Sequence, residues 1–234
     1  NTQIGKDVSF QKLQNDYHAV FIGVGLAKDR FLYESQNIRG VRGAVEIIEE
    51  IKLKQAVLSD VKHAIIIGGG NTALDIAHEL SVLGNFPITL AYRKSKNEMS
   101  GYKHELEPVL ASGVSIIENA IPVAIETDDV EHVCSVVFDI QHTRVRKFAN
   151  LVIFAIGQEK HDFSTWLSEL QCHKDGRIKV NAKTYETSIK NVFAGGDSVN
   201  GGKEVVNAVA EGREAAYHIL KRFGLEVSFG RFNG

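Results

Sequence analysis

This chain is poor in the residues that build covalent or metal frameworks. Cysteine occurs only at Cys134 and Cys172, too few for a disulfide scaffold and too far apart for a Cys-x-x-Cys redox pair or a metal site. An excess of one charge is also missing: 27 basic and 29 acidic side chains leave a formal net charge of −2, without a long basic block. Nothing therefore points to nucleic acid as a partner. The longest apolar runs are strand-sized, which excludes a helical membrane span. No secretory signal pattern opens the sequence, and a reducing cytoplasm is the expected setting. The nine histidines are scattered, and no serine sits in a hydrolase-type Gly-x-Ser-x-Gly turn. General acid–base and nucleophilic catalysis have no constellation behind them.

Glycine is what the chain has, 21 in all, and several glycines end apolar strands. Ile65-Ile66-Ile67-Gly68-Gly69-Gly70-Asn71-Thr72-Ala73-Leu74-Asp75 reads as strand, tight turn and helix start. An amphipathic helix follows with Ile76, Ala77, Leu80 and Leu83; Gly84 ends it, and Ile88, Leu90 and Tyr92 mark the next strand. Gly68 suits a sharp turn, Gly70 lets a pyrophosphate come close, and Ala73 lets the helix pack tightly on the strand. Amides at the helix start, with the helix dipole, favour an anion. The plainer alternative is a structural glycine turn in an α/β sheet.

The second strand runs into Tyr92-Arg93-Lys94-Ser95-Lys96. In a dinucleotide fold an acid at this point would accept from the ribose 2′-hydroxyl of NAD, whereas an Arg meets the 2′-phosphate of NADP. No acid stands here, and Arg93 with Lys94 predicts a preference for NADPH over NADH. An exposed basic turn is the competing reading.

Two further strands end in glycine: Ala19 to Gly25, and Leu151 to Gly157, which echoes it. Ser9 can cap a short helix bearing Phe10 and Leu13, and Ala44, Ile47, Ile48 and Ile51 share a helical face. A helix over 102–111 contains Pro108, where a kink or break is expected. Short alternating stretches from Pro122 to Phe148 read as a β-meander. Val192-Phe193-Ala194-Gly195-Gly196-Asp197 then places a carboxylate just past a strand end, ahead of a helix that begins near Val205. Asp197 could accept from sugar or ribityl hydroxyls, or merely cap the loop. This order predicts an α/β Rossmann-like three-layer fold with one domain inserted into another. The expected segments are 1–40 and 150–234 for a flavin-binding domain and 41–149 for a nicotinamide dinucleotide domain.

With these residues in place, the chain resembles the FAD/NAD(P)-dependent pyridine nucleotide oxidoreductases, the flavoproteins with two dinucleotide sites. Within them it is similar to the glutamate synthase small-subunit and dihydropyrimidine dehydrogenase group. The likeness rests on Asp16 to Gly25, Ile67 to Asp75, Tyr92-Arg93-Lys94 with Asn97-Glu98-Met99, Phe154 to Gln158, and Phe193 to Asp197 with Ala208 to Ala215. It implies that Gly68, Gly70, Asn71, Thr72 and Ala73 hold the NAD(P)H pyrophosphate and that Arg93 and Lys94 meet the 2′-phosphate. Gly157 would lie near the cofactors, Gly196 and Asp197 would hold FAD, and the helix start at Val205 and Val206 would face the flavin pyrimidine edge. The implied chemistry is hydride transfer from nicotinamide to flavin, with electrons leaving through iron–sulfur clusters of a partner domain or subunit. In that group a first FAD-binding glycine turn and a cysteine-rich segment precede the part matched here, so the chain is expected to be a piece of a longer protein. Ser100 stands where members often carry Pro. A thioredoxin-reductase-like enzyme shares the plan but needs the cysteine pair that is missing; a non-catalytic NADPH-binding module is a further alternative.

Overall fold

The computed structural model describes residues 2–225; Asn1 and residues 226–234, the outer ends of the expected flavin-binding segments, lie outside the described residues. Ser9 gives the first start signal: its Oγ accepts the Lys12 amide at 3.2 Å and opens α1 (Phe10–Asp16). In order there follow β1 (Val20–Ile22), β2 (Val41–Gly43), α2 (Ala44–Lys52), β3 (Ala64–Ile67), α3 (Asn71–Leu83), β4 (Ile88–Ala91) and α4 (Lys103–Ala111). Next come β5 (Ser115–Ile117), β6 (Ala120–Thr127), β7 (Val133–Ile140), β8 (Thr143–Phe148) and β9 (Leu151–Phe154). The described chain closes with β10 (Val192–Ala194), α5 (Asp197–Asn200) and α6 (Val205–Arg222). No described helix is long and apolar enough to cross a membrane.

The chain forms two compact units, one from Lys28 to Gln158 and the other from the residues up to Ala27 with those from Glu159 onward. In the first unit β2-β9-β3-β4-β5 make an all-parallel sheet. Every residue of β3, β4 and β9 is buried, as a parallel sheet covered on both faces requires. Ile66, Leu90 and Ile153 meet Ile47, Leu74, Ile76 and Leu80 of the helices on one face. On the other, Ile65, Ile67, Val152 and Phe154 meet Val136 and Phe138 of the antiparallel β6-β7-β8 meander. The unit thus has three layers: helices, parallel sheet and meander.

Two local features differ from the sequence expectation. Pro108 does not break α4, which runs on to Ala111; the hydrogen bond that Pro108 cannot donate belongs to the carbonyl of the exposed His104, where water can satisfy it. The second is β9, the strand that echoes β1. It lies in the five-stranded sheet between β2 and β3, while β1 pairs in parallel with β10, Val20 opposite Val192. An apolar strand ending in glycine marks the ligand end of a parallel strand, and that signature is blind to which sheet the strand joins.

Helix α2 follows Gly43, which has no side chain to cap it. Asp29 does so from a distance: its buried carboxylate accepts the Val45 and Glu46 amides at 3.1 and 3.2 Å. Burial pushes the Asp29 carboxyl above its usual range, and the two amides oppose that shift. Asp29→Ala should therefore lower stability by about 1–2 kcal/mol, the usual worth of a cap, and the melting temperature by roughly 4 °C. Asp29→Asn keeps an acceptor and loses the buried charge, so a thermal melt close to wild type is expected; equal losses for both variants would contradict the capping role.

The second unit gathers Phe10, Ile22, Phe163, Leu167, Leu170, Ile178 and Val192 around the β1-β10 pair. The C-terminal end of α6 is held by Arg222, whose guanidinium pairs in a fork with Glu186, donates to Asn191 Oδ1 at 3.0 Å and lies 5.5 Å from the Phe193 ring centroid. Arg222 holds the Glu186 carboxyl below the usual range, with help from the Asn191 amide and against partial burial. A depressed carboxyl stabilises the fold above its unfolded pKa, and this contribution is lost as pH falls through the folded value. Arg222→Met should cost about 1 kcal/mol at neutral pH, a figure reduced for the solvent exposure of Arg222. It should also flatten the acid limb of the stability curve; a curve parallel to wild type would show that the pair adds nothing.

Candidate functional site

The first unit brings its expected dinucleotide residues to the carboxyl end of the parallel sheet. β3 delivers the chain to Gly68 at φ +152°, where a Cβ would stand 2.3 Å from the Ala155 carbonyl oxygen. A side chain there is excluded by neighbouring backbone. Gly69 lies under the Tyr92 ring, which a Cβ would meet at 2.5 Å. Gly70 differs: beyond its own chain neighbours, the Ser100 hydroxyl at 3.5 Å is the sole described atom within 4 Å of the place of its missing Cβ, and α3 starts from Gly70 with no side-chain cap. The open flank and the first-turn amides of α3 together form a cradle for an anion. Ala73, fully buried, lets the helix sit close to the sheet.

The segment after β4 folds back over this turn. The Tyr92 hydroxyl donates to the Glu98 carbonyl at 3.0 Å, the Gly101 amide to the Gly69 carbonyl at 3.0 Å, and the Tyr102 amide to Asn71 Oδ1 at 3.0 Å. The Asn71 side chain is thus engaged in holding the loop, and Thr72 is exposed on α3. Of the two expected phosphate-binding cations, Lys94 pairs with Glu98 at 3.2 Å. The Ser95 hydroxyl first, then Lys94, hold the Glu98 carboxyl below the usual range. Arg93 is exposed and makes no hydrogen bond or ion pair with the described residues. Gly157, at φ +98°, follows β9 beside β3, and its carbonyl accepts the Arg30 amide at 3.0 Å.

In the second unit the glycine turns after β1 and β10 lie side by side. They and the start of α6 line a cavity of about 400 Å³ bounded by Gly23, Gly25, Gly196, Asp197, Val205 and Ala208. Gly196 takes φ +71°, which favours glycine, and donates its amide to Glu211 Oε2 at 2.6 Å. Glu211 also accepts from the Asn200 side chain, so a carboxylate of α6 fixes the Gly-Gly-Asp turn. Asp197 Oδ1 accepts the Lys203 amide at 3.2 Å. The first turn of α6 has no side-chain cap. Val205 borders the cavity, whereas Val206 does not; both are exposed, as is Val209. Among the described residues no group of three His, Cys, Asp or Glu side chains is placed to hold a metal ion.

Two parallel-strand systems that each end in glycine turns beside a helix start are the geometry on which the sequence comparisons bear. The family described as pyridine nucleotide-disulphide oxidoreductase matches residues 3–212. The chain belongs to that family. The small chain of glutamate synthase (NADPH) from Escherichia coli K12 is 30% identical over 94% of this chain and 53% of its own length. The NAD-dependent dihydropyrimidine dehydrogenase subunit PreT of Escherichia coli O157:H7 is 32% identical over 94% of this chain and 52% of its own. The chain spans about half the length of these curated relatives. Among solved structures, thioredoxin reductase of Lactococcus lactis superposes with a TM-score of 0.73 at 22% identity, covering 87% of this chain and 65% of that one. The fold is the Rossmann-type FAD/NAD(P) architecture.

Family membership implies flavin and nicotinamide nucleotide; the residues present fit the nicotinamide dinucleotide and the part of a flavin site that this chain contains. A Cβ would fill the flank of Gly70 that a pyrophosphate needs, and the second cavity is lined by glycine, a carboxylate and an uncapped helix start. Gly23, Gly25, Lys203, Glu204, Ala208 and Val209 also line that cavity, and none was assigned from sequence. Only the Gly23-x-Gly25 spacing after an apolar strand signals it. The two relatives differ in the nucleotide that their names carry, so preference has to come from the residues of this chain.

Proposed function

We propose that this chain is the electron-input part of a flavin-dependent oxidoreductase that takes NADPH in preference to NADH. The observation that carries the reading is Arg93, a guanidinium with no described partner, one strand away from the open flank of Gly70. Gly70 and the α3 amides would hold the pyrophosphate, Gly68 would fix the turn, and Arg93 would pair with the 2′-phosphate. Lys94, already paired with Glu98, would contribute less. In the second unit Gly196 and Asp197 would hold the ribityl-phosphate part of FAD, and the α6 amides at Val205 and Val206 would favour negative charge on the flavin ring. The bound flavin supplies hydride acceptance from the nicotinamide. Electrons would then pass to iron–sulfur clusters on a partner domain or subunit, because two cysteines are too few to ligate a cluster.

Anaerobic mixing of the FAD-loaded protein with each nucleotide tests this reading. The flavin absorbance should bleach with NADPH and much more slowly with NADH. Bleaching at equal rates with both nucleotides would overturn the preference for NADPH, and FAD-loaded protein that binds NADPH without bleaching would overturn the enzymatic reading in favour of a nucleotide-binding module.

A further inference from the structure

The Ser95–Tyr102 segment is fastened to the glycine turn on both sides of one unpartnered side chain. Gly101 is bonded through its amide to the Gly69 carbonyl, Tyr102 through its amide to Asn71 Oδ1, and on the other side Glu98 through its carbonyl to the Tyr92 hydroxyl. Gly101 also has no room for a side chain, since a Cβ would meet Leu74 Cδ1 at 2.6 Å. These ties fix the backbone around Ser100. Ser100 is exposed; its hydroxyl makes no hydrogen bond to the described residues and stands 3.5 Å from the position of the Gly70 Cβ, where no other described atom beyond the glycine's own chain neighbours comes within 4 Å.

We infer that Ser100 is a binding residue for the dinucleotide, its hydroxyl donating to a pyrophosphate oxygen lodged against Gly70. A hydroxyl both donates and accepts, and an anion in that space would turn it into a charge-assisted donor. Ser100 would add a side-chain donor to the α3 amides, so the pyrophosphate would be held by main-chain and side-chain donors together. The inference rests on the dinucleotide reading of the Gly70 turn and deepens it.

Calorimetric titration of Ser100→Ala, Ser100→Thr and wild type with NADPH and with adenosine 2′-monophosphate tests the role. The monophosphate carries adenosine and the 2′-phosphate but no pyrophosphate. Ser100→Ala should bind NADPH about tenfold more weakly, the loss of one hydrogen bond to a charged group, and the monophosphate with unchanged affinity. Ser100→Thr, which keeps the hydroxyl, should bind NADPH close to wild type. Unchanged NADPH affinity in Ser100→Ala, or equal losses for both ligands, would overturn the role while leaving the dinucleotide site standing. Wild-type protein that binds neither ligand would overturn the dinucleotide reading itself, and the role of Ser100 with it.

Discussion

Gly68→Ala is expected to lose measurable binding of NADPH and NADH and to melt well below wild type, whereas Gly70→Ala is expected to lose binding with little loss of stability. The two glycines sit in one turn, yet their surroundings differ. At Gly68 an added Cβ would stand 2.3 Å from the Ala155 carbonyl oxygen, and the φ of +152° is itself disfavoured for an L-residue. Strain of that kind costs about 1–3 kcal/mol before the clash is counted, and relief requires β3 and β9 to separate. At Gly70 the backbone is extended and the Ser100 hydroxyl at 3.5 Å is in ordinary contact. Alanine fits there in the free protein and occupies the space an anion needs. Gly70→Ala should therefore melt within about 3 °C of wild type, since alanine is a poorer N-cap than glycine by up to about 1 kcal/mol, and bind both nucleotides at least roughly tenfold more weakly, about 1.4 kcal/mol. Thermal melts beside calorimetric titrations separate the cases. A Gly70→Ala variant with wild-type affinity would show that the turn serves structure alone.

Arg93→Ala carries the second large effect, and it is selective. A guanidinium on a phosphate is a charge-assisted contact worth about 1.5–3 kcal/mol, so NADPH should bind roughly 10- to 150-fold more weakly by the same conversion. NADH, which lacks the 2′-phosphate, should be almost unaffected. Lys94→Ala should have the smaller effect because Lys94 is already engaged by Glu98 at 3.2 Å. Equal losses of NADPH and NADH in Arg93→Ala would assign the residue to general electrostatics instead of 2′-phosphate recognition.

The β3–glycine turn–α3 unit was legible from sequence because three signals coincide within a few residues: an apolar strand, glycines and a helical repeat. The meander was legible from its alternation. β2 was not, for its three residues Val41-Arg42-Gly43 include a charge and lead straight into α2. The cap of α2 by Asp29 was likewise out of reach, since a lone acid in an irregular stretch does not announce a helix start beyond the next few residues. Gly196, Asp197 and Val205 of the second cavity were legible from the strand, glycine and acid pattern, whereas Gly23 and Gly25 end a strand far away in sequence, and only the fold brings the two turns together. Arg93 and Lys94 look equivalent as adjacent cations, and only the fold shows that Lys94 is paired while Arg93 has no partner among the described residues.

Calorimetric titration of the wild-type protein with NADPH, followed by NADH, bears most directly on the central claim that the Gly68–Gly70 turn and Arg93 form a dinucleotide site selective for the 2′-phosphate. Saturable NADPH binding with NADH at least roughly tenfold weaker is the expected result, as the Arg93 contact requires. A cooperatively melting protein that binds neither nucleotide, or binds both alike, would contradict it.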